Sequence, residues 1–135
     1  MKREKIRAGA RIALGLVYLV TGVLHLVAPG PFVGIVPPWV PAPDAVVALT
    51  GIAEIAGALC FIQAFAPHLH RLAGWVLAAY ALCVWPANVQ HMLIDLEKPD
   101  RGLGLAYHVP RMMLQPVLIW LALWAGKVID WPFRR

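Results

Sequence analysis

Charged side chains are scarce in this chain. They make up 14% of the 135 residues, while hydrophobic residues make up 61%. An ordinary globular chain carries about 25% charged and about 45–50% apolar residues. Acidic groups are the rarest, at seven Asp and Glu in all, and between Ile12 and Ile94 the charged side chains are Asp44, Glu54 and Arg71 alone. Mean hydropathy is +0.70. This excludes a disordered chain, a solvated helical array and a nucleic-acid-binding arm. A soluble domain of this size would expose much of the Ile12–Ile94 stretch with nothing to solvate it, so the composition reads as an integral membrane protein. Cysteine is scarce too. Cys60 and Cys83 are the two, both in apolar stretches and not in a C-x-x-C, which excludes a disulfide framework and a thiol-exchange centre.

What is present is apolar sequence in lengths that suit a bilayer. About 20 residues of helix cross about 30 Å of hydrocarbon. Four such runs are expected, at about 8–27, 44–66, 71–94 and 106–127, within a single domain covering 1–135. None alternates as a barrel strand does, so the backbone is satisfied by helices and the fold class is all-α, a transmembrane four-helix bundle. The basic residues crowd the ends: Lys2, Arg3, Lys5, Arg7 and Arg11 at one, Lys127, Arg134 and Arg135 at the other. With both termini inside, nine of the twelve Lys and Arg lie on the inner side, Arg71 included. This predicts a multi-pass protein of a bacterial-type inner membrane with N-in and C-in topology. The net charge of +5 forms no basic face with interleaved aromatics, so nucleic acid is not an expected partner. The basic start and apolar run of the first span also fit a cleaved signal peptide. However, the run is long, no A-x-A site follows it, and a histidine sits late in it.

The segment between the first two spans, APGPFVGIVPPWVPAP (28–43), has six prolines and no charge. Proline removes backbone donors and resists regular helix. Its apolar side chains call for a stiff lid over the outer mouth of the bundle or, alternatively, a simple interfacial anchor. The inner loop 67–70 is short, with His68 and His70 expected in solvent. The outer loop 95–107 is polar, glycine-bearing and expected to be mobile.

Ionisable residues within hydrocarbon cost at least a few kcal/mol and normally face a cavity or a partner. Glu54 lies about ten residues into the second span, about 15 Å deep at helical rise. His25 ends the first span, Asn88, Gln90 and His91 fall in the outer third of the third, and His108, Arg111 and Gln115 open the fourth. Apart from Gln63, these polar residues share the outer half of the bundle. Helical spacing joins Tyr18, Gly22 and His25 on one face, and likewise Thr50, Glu54, Gly57 and Phe61, then Ala81, Trp85, Asn88 and His91, then His108, Arg111, Gln115 and Leu118. Pointed inward, these faces line a cavity with His25, Glu54, Asn88, Arg111 and Gln115, flanked by Trp39, Tyr80 and Trp85. Pro86 and Pro116 free the carbonyls of Leu82 and Met112 and can kink their helices, widening the outer half. Other readings stand beside this one. Glu54 and Arg111 can form a structural ion pair, Glu54 can be protonated, and Asn88 and Gln115 can serve as inter-helix hydrogen bonders. His25, His91, His108 and Glu54 suggest a metal on paper, but no pair among them has the i, i+4 spacing of a helical metal motif, so no metal is expected.

The stretches GVLHL (22–26), PPWVPAPD (37–44), TGIAEIAGAL (50–59), WPANVQH (85–91) and RMMLQPVLIW (111–120) resemble the DoxX-like family of small four-helix bacterial membrane proteins. The resemblance covers nearly the whole chain. The family's span-one histidine, span-two glutamate, span-three Pro-Ala-Asn and span-four Arg…Gln correspond to His25, Glu54, Pro86-Ala87-Asn88, and Arg111 with Gln115. Leu26 departs from the phenylalanine that often follows the histidine. The resemblance implies the four-helix fold and, in some relatives, a role beside thiosulfate:quinone oxidoreduction or in redox maturation and membrane-protein assembly. Two functional readings follow. One is a quinone-like or other amphipathic small molecule bound in the polar outer pocket, within a redox-linked system. The other is a non-enzymatic lipid-binding or assembly factor. The chain has no flavin, haem or iron–sulfur motif, so redox chemistry requires a partner subunit.

Overall fold

The computed structural model describes residues 2–132, so Arg134 and Arg135 of the basic C-terminus lie outside the described residues. Within them the chain forms helices and no strand: α1 (Lys2–Val27), α2 (Gly30–Val33), α3 (Pro43–Ile62), α4 (His68–Cys83), α5 (Trp85–Glu97) and α6 (Gly104–Ala125). Three helical stretches are long and apolar enough to cross a membrane: Lys2–Val27, Pro43–Ile62, and His68–Glu97, which α4 and α5 make together. α6 has 22 residues but carries His108, Arg111, Gln115 and two internal prolines, which lower its apolarity.

Local chemistry explains the boundaries. α1 runs unbroken until Ala28-Pro29. α3 starts with Pro43, whose missing N–H costs nothing in a first turn, immediately after Ala42 in the left-handed region at φ 49°. α3 stops at Ile62, four residues before the expected limit, because Gln63 turns extended. The Gln63 amide then closes the turn, donating to Cys60 O (3.0 Å) and Ala66 O (2.9 Å) and accepting from Ala66 N–H (2.8 Å). His70, expected in solvent, is buried instead, with Nε2 2.9 Å from the Gln63 carbonyl.

The third expected span is two helices. The α-helix is interrupted at Val84 (φ −87°, ψ −6°), and Pro86 falls in the first turn of α5. α5 then extends past Ile94 to Glu97, so Asp95 is helical and almost wholly buried. This residue ties the connection to α6: Asp95 Oδ2 accepts from Leu103 N–H at 3.1 Å and Oδ1 receives Lys98 Nζ at 2.6 Å. Gly102, at φ +53°, lies over the same carboxylate, where a Cβ would collide with it.

α1 packs along α3, and α4 packs against α3 and α6. The solid core, around Leu14, Tyr18, Ala58, Phe61, Leu77, Ala122 and Trp124, occupies the end of the bundle where the termini meet. There Arg7, almost fully buried, lies over the Trp124 ring (4.9 Å) and donates to Ile129 O (3.1 Å) and Asp130 Oδ1 (2.8 Å), tying the segment after α6 to α1. The opposite end, under the proline-rich segment, is not filled by side chains.

Candidate functional site

The unfilled end is a cavity of about 470 Å³ between the upper halves of α1, α3, α4, α5 and α6. Its walls are mainly apolar. The proline-rich segment covers it with Phe32, Ile35, Val36, Pro37, Trp39 and Val40, as expected of a lid. The lid is not wholly irregular, since Pro31 sits in the first turn of the single-turn helix α2. Phe32 stacks on the His25 ring at 3.9 Å between centroids.

Of the residues expected to line a pocket, the cavity wall contains His25, Glu54, Asn88, Arg111, Gln115, Trp39 and Tyr80. Trp85 is not among them. It faces a neighbouring groove, on the same helix face as Leu82 and Val89.

At the deep end is a carboxylate cluster. Helices α1 and α3 approach closely through Gly22 and Gly51, which brings His25 beside Glu54. Thr21 Oγ1 donates to Glu54 Oε1 at 2.8 Å. His25 Nδ1 lies 2.9 Å from Glu54 Oε2 and 2.8 Å from the Thr21 carbonyl oxygen. A single N–H cannot serve both acceptors well, and its direction favours the carbonyl, which leaves Glu54 Oε2 without a hydrogen bond. Two more buried polar atoms of the cavity wall have no partner: the Tyr18 hydroxyl and Gln115 Oε1. Leaving such a group dry costs about 1–3 kcal/mol.

Arg111 does not pair with Glu54. Its Nη1 donates to His91 Nδ1 at 2.7 Å, and the guanidinium lies 5.7 Å from the Tyr107 ring centre. The ion-pair reading of Glu54 with Arg111 therefore gives way to two separate clusters at different heights.

The second cluster surrounds Asp95. His108, fully buried, brings Nε2 to 2.9 Å from Asp95 Oδ2, and His91 brings Nε2 to 3.6 Å from the same oxygen. Ligand atoms of His91, Asp95 and His108 lie within 4.8 Å of one another, close enough for a divalent ion to bridge. The surrounding charges favour hydrogen bonding instead. Lys98 already neutralises the carboxylate, and in return the carboxylate holds the Lys98 ammonium above the ordinary lysine pKa. Arg111 donates to His91 Nδ1, so the His91 proton resides on Nε2, the nitrogen a metal would need bare. The result is a chain of contacts that anchors Arg111 at the cavity wall.

Sequence reasoning overlooked Thr21 and Asp95. Thr21 is one helical turn before His25, and Asp95 one turn after His91, so i, i+4 spacing carried both signals. Asp95 was hidden by ending the third span at Ile94.

A family model, Domain of unknown function (DUF8561), matches residues 14–126. No curated protein and no solved structure matches the chain.

Proposed function

The chain belongs to the DUF8561 family, and we propose that it is a multi-pass membrane protein that binds a quinone-like or other amphipathic small molecule in the cavity beneath the lid. In this reading α1, α3, the α4–α5 pair and α6 make four passes, both termini face the cytoplasm, and the lid faces outward from a bacterial-type inner membrane. The resemblance to DoxX-like proteins supports the same assignment.

The observation that carries the reading is an apolar-walled space beneath the lid with a few polar side chains on its wall, among them Glu54, Asn88, Arg111 and Gln115. An apolar body fills such a space while one or two oxygen or nitrogen atoms meet the polar groups. The ligand's oxygen or nitrogen atoms meet these side chains at the wall. Arg111, anchored by His91, offers a fixed cation at the other end of the wall. The protein holds and orients the ligand, and electron transfer belongs to a partner subunit.

Two measurements test this. Protein purified in mild detergent is extracted and assayed for quinone by mass spectrometry and ultraviolet absorbance, and heat unfolding is followed with and without added decylubiquinone. Stoichiometric quinone, or protection by the added compound, supports the reading. Absence of both overturns it and favours the non-enzymatic lipid-binding or assembly role. Glu54→Gln keeps the shape and removes the acid. A ligand role predicts a folded protein with lost protection, whereas a structural role predicts lost stability without ligand.

A further inference from the structure

A cavity of about 470 Å³ accommodates a compact head but not a long apolar chain as well. Beside it lies a second hollow of about 520 Å³, a groove on the outside of α4 and α5. The two share walls: Pro37 and Trp39 of the lid and Pro86 of α5 belong to both. The groove continues from there along Leu82, Val89 and Leu93. These side chains are 57%, 38% and 47% exposed, and Trp39 is 73% exposed at the junction. Trp85, Val89 and Leu93 repeat every fourth residue, so they form one stripe along α5, about 12 Å long at helical rise.

The break at Val84 falls at this level. It interrupts the α-helix where α4 gives way to α5, and Pro86 sits in the next turn with no backbone N–H to satisfy. The lid crosses the same level with two prolines of its own, Pro37 and Pro38. No charged residue lines the groove, and Pro37 and Pro86 bring no backbone N–H to the junction; its polar groups are the indole N–H of Trp39 and Trp85 and the Gln90 amide.

Resting on the ligand-binding reading above, we infer that the cavity opens sideways between the lid and the start of α5, and that its ligand is a single-tailed amphiphile whose head sits in the cavity and whose tail lies in the Leu82–Val89–Leu93 groove. The ligand class is thereby narrowed to lipid-soluble molecules with one apolar chain. A water-soluble ligand of head size alone would leave the groove unused. The tail gains little free energy by leaving lipid or detergent for the groove, since both are apolar. The groove acts by shape: it gives the tail a way out while the head is seated.

The test uses two probes with the same head, ubiquinone-0 without a tail and decylubiquinone with one, and reads their dissociation constants on purified full-length protein in one detergent. Val89→Trp fills the groove from outside, and Leu93→Trp does so one turn further along. Neither residue lines the cavity, and both are exposed enough for the variants to fold, which the thermal midpoint without ligand checks. The ratio of the two dissociation constants cancels partitioning of the tailed probe into micelles. The expected result is that ubiquinone-0 binds wild type and both variants alike, while Val89→Trp weakens decylubiquinone at least tenfold relative to it. An unchanged ratio in both variants overturns the portal and leaves the cavity reading in place. Failure of both probes to bind wild type overturns the cavity reading and this inference with it.

Discussion

Gly22→Ala tests whether close approach of α1 and α3 is what assembles the cluster at Glu54. An added Cβ at Gly22 stands 2.8 Å from Gly51 O, 2.9 Å from Ile55 Cγ1 and 3.0 Å from Glu54 Cβ. Ordinary contact begins at 3.4 Å, so the two helices must part by 3.4 − 2.8, or roughly 0.6 Å, at a backbone atom that cannot rotate away. Overpacking of this kind costs about 1–3 kcal/mol. Replacing a helical glycine by alanine returns about 0.5–1 kcal/mol through backbone entropy. Gly9→Ala is the matched control: it is in the same helix, with nothing within 4 Å of its new Cβ. The helix-propensity gain is common to both variants, so their difference isolates the overlap. Reversible unfolding in mixed micelles should find Gly22→Ala less stable than Gly9→Ala by about 1–3 kcal/mol. The same separation moves His25 away from Glu54, so protection by decylubiquinone should also weaken in Gly22→Ala and not in Gly9→Ala. Equal stability of the two variants, within about 0.5 kcal/mol, would refute the close-approach argument.

Three further outcomes are expected. Arg7→Ala removes two hydrogen bonds from a charged donor and the contact with Trp124, which should cost about 1–3 kcal/mol and expose the segment after Ala125 to protease, read as faster cleavage there. Asp95→Ala should unfasten the connection between α5 and α6, seen as faster hydrogen exchange at the Leu103 amide with α1 and α3 unaffected. The Lys98–Asp95 pair raises the lysine pKa in the folded state, so its stabilisation is complete below the ordinary lysine value of 10.5 and is lost as pH rises above it through the folded value. The difference in thermal midpoint between wild type and Lys98→Met should therefore stay constant from neutral pH to about pH 10 and shrink beyond; a difference that already falls between pH 6 and 8 would contradict the pairing.

Much of the site was legible because helical periodicity is a local property. The spacing of Tyr18, Gly22 and His25, or of Thr50, Glu54 and Gly57, follows from 3.6 residues per turn whatever the helix later packs against. The proline content of 28–43 likewise announced a stiff apolar segment, whether lid or interfacial anchor. Partner choice was not legible. Glu54 and Arg111 have opposite charge and lie in the same half of the chain's apolar runs, yet Thr21 and His25 flank one while His91 takes the other. Those pairings depend on how each helix is rotated and on displacements of a few ångströms between helices. The α-helix break at Val84 illustrates the same limit. Pro86 signalled a possible kink, but spacing alone did not place Trp85 in the groove rather than in the cavity.

Composition and periodicity by themselves determined the helical class and the residues that share each helix face, since apolar run length and the pitch of the helix act within one segment. The tertiary structure decided what those faces meet: the hollow at one end, the buried Asp95 anchor, and the separation of Glu54 from Arg111. The physical reason is reach. A hydrogen bond exists only within about 3 Å, and which atoms of distant segments come that close is settled by the packing of glycines such as Gly22 and Gly51 against each other, not by any property of either segment alone.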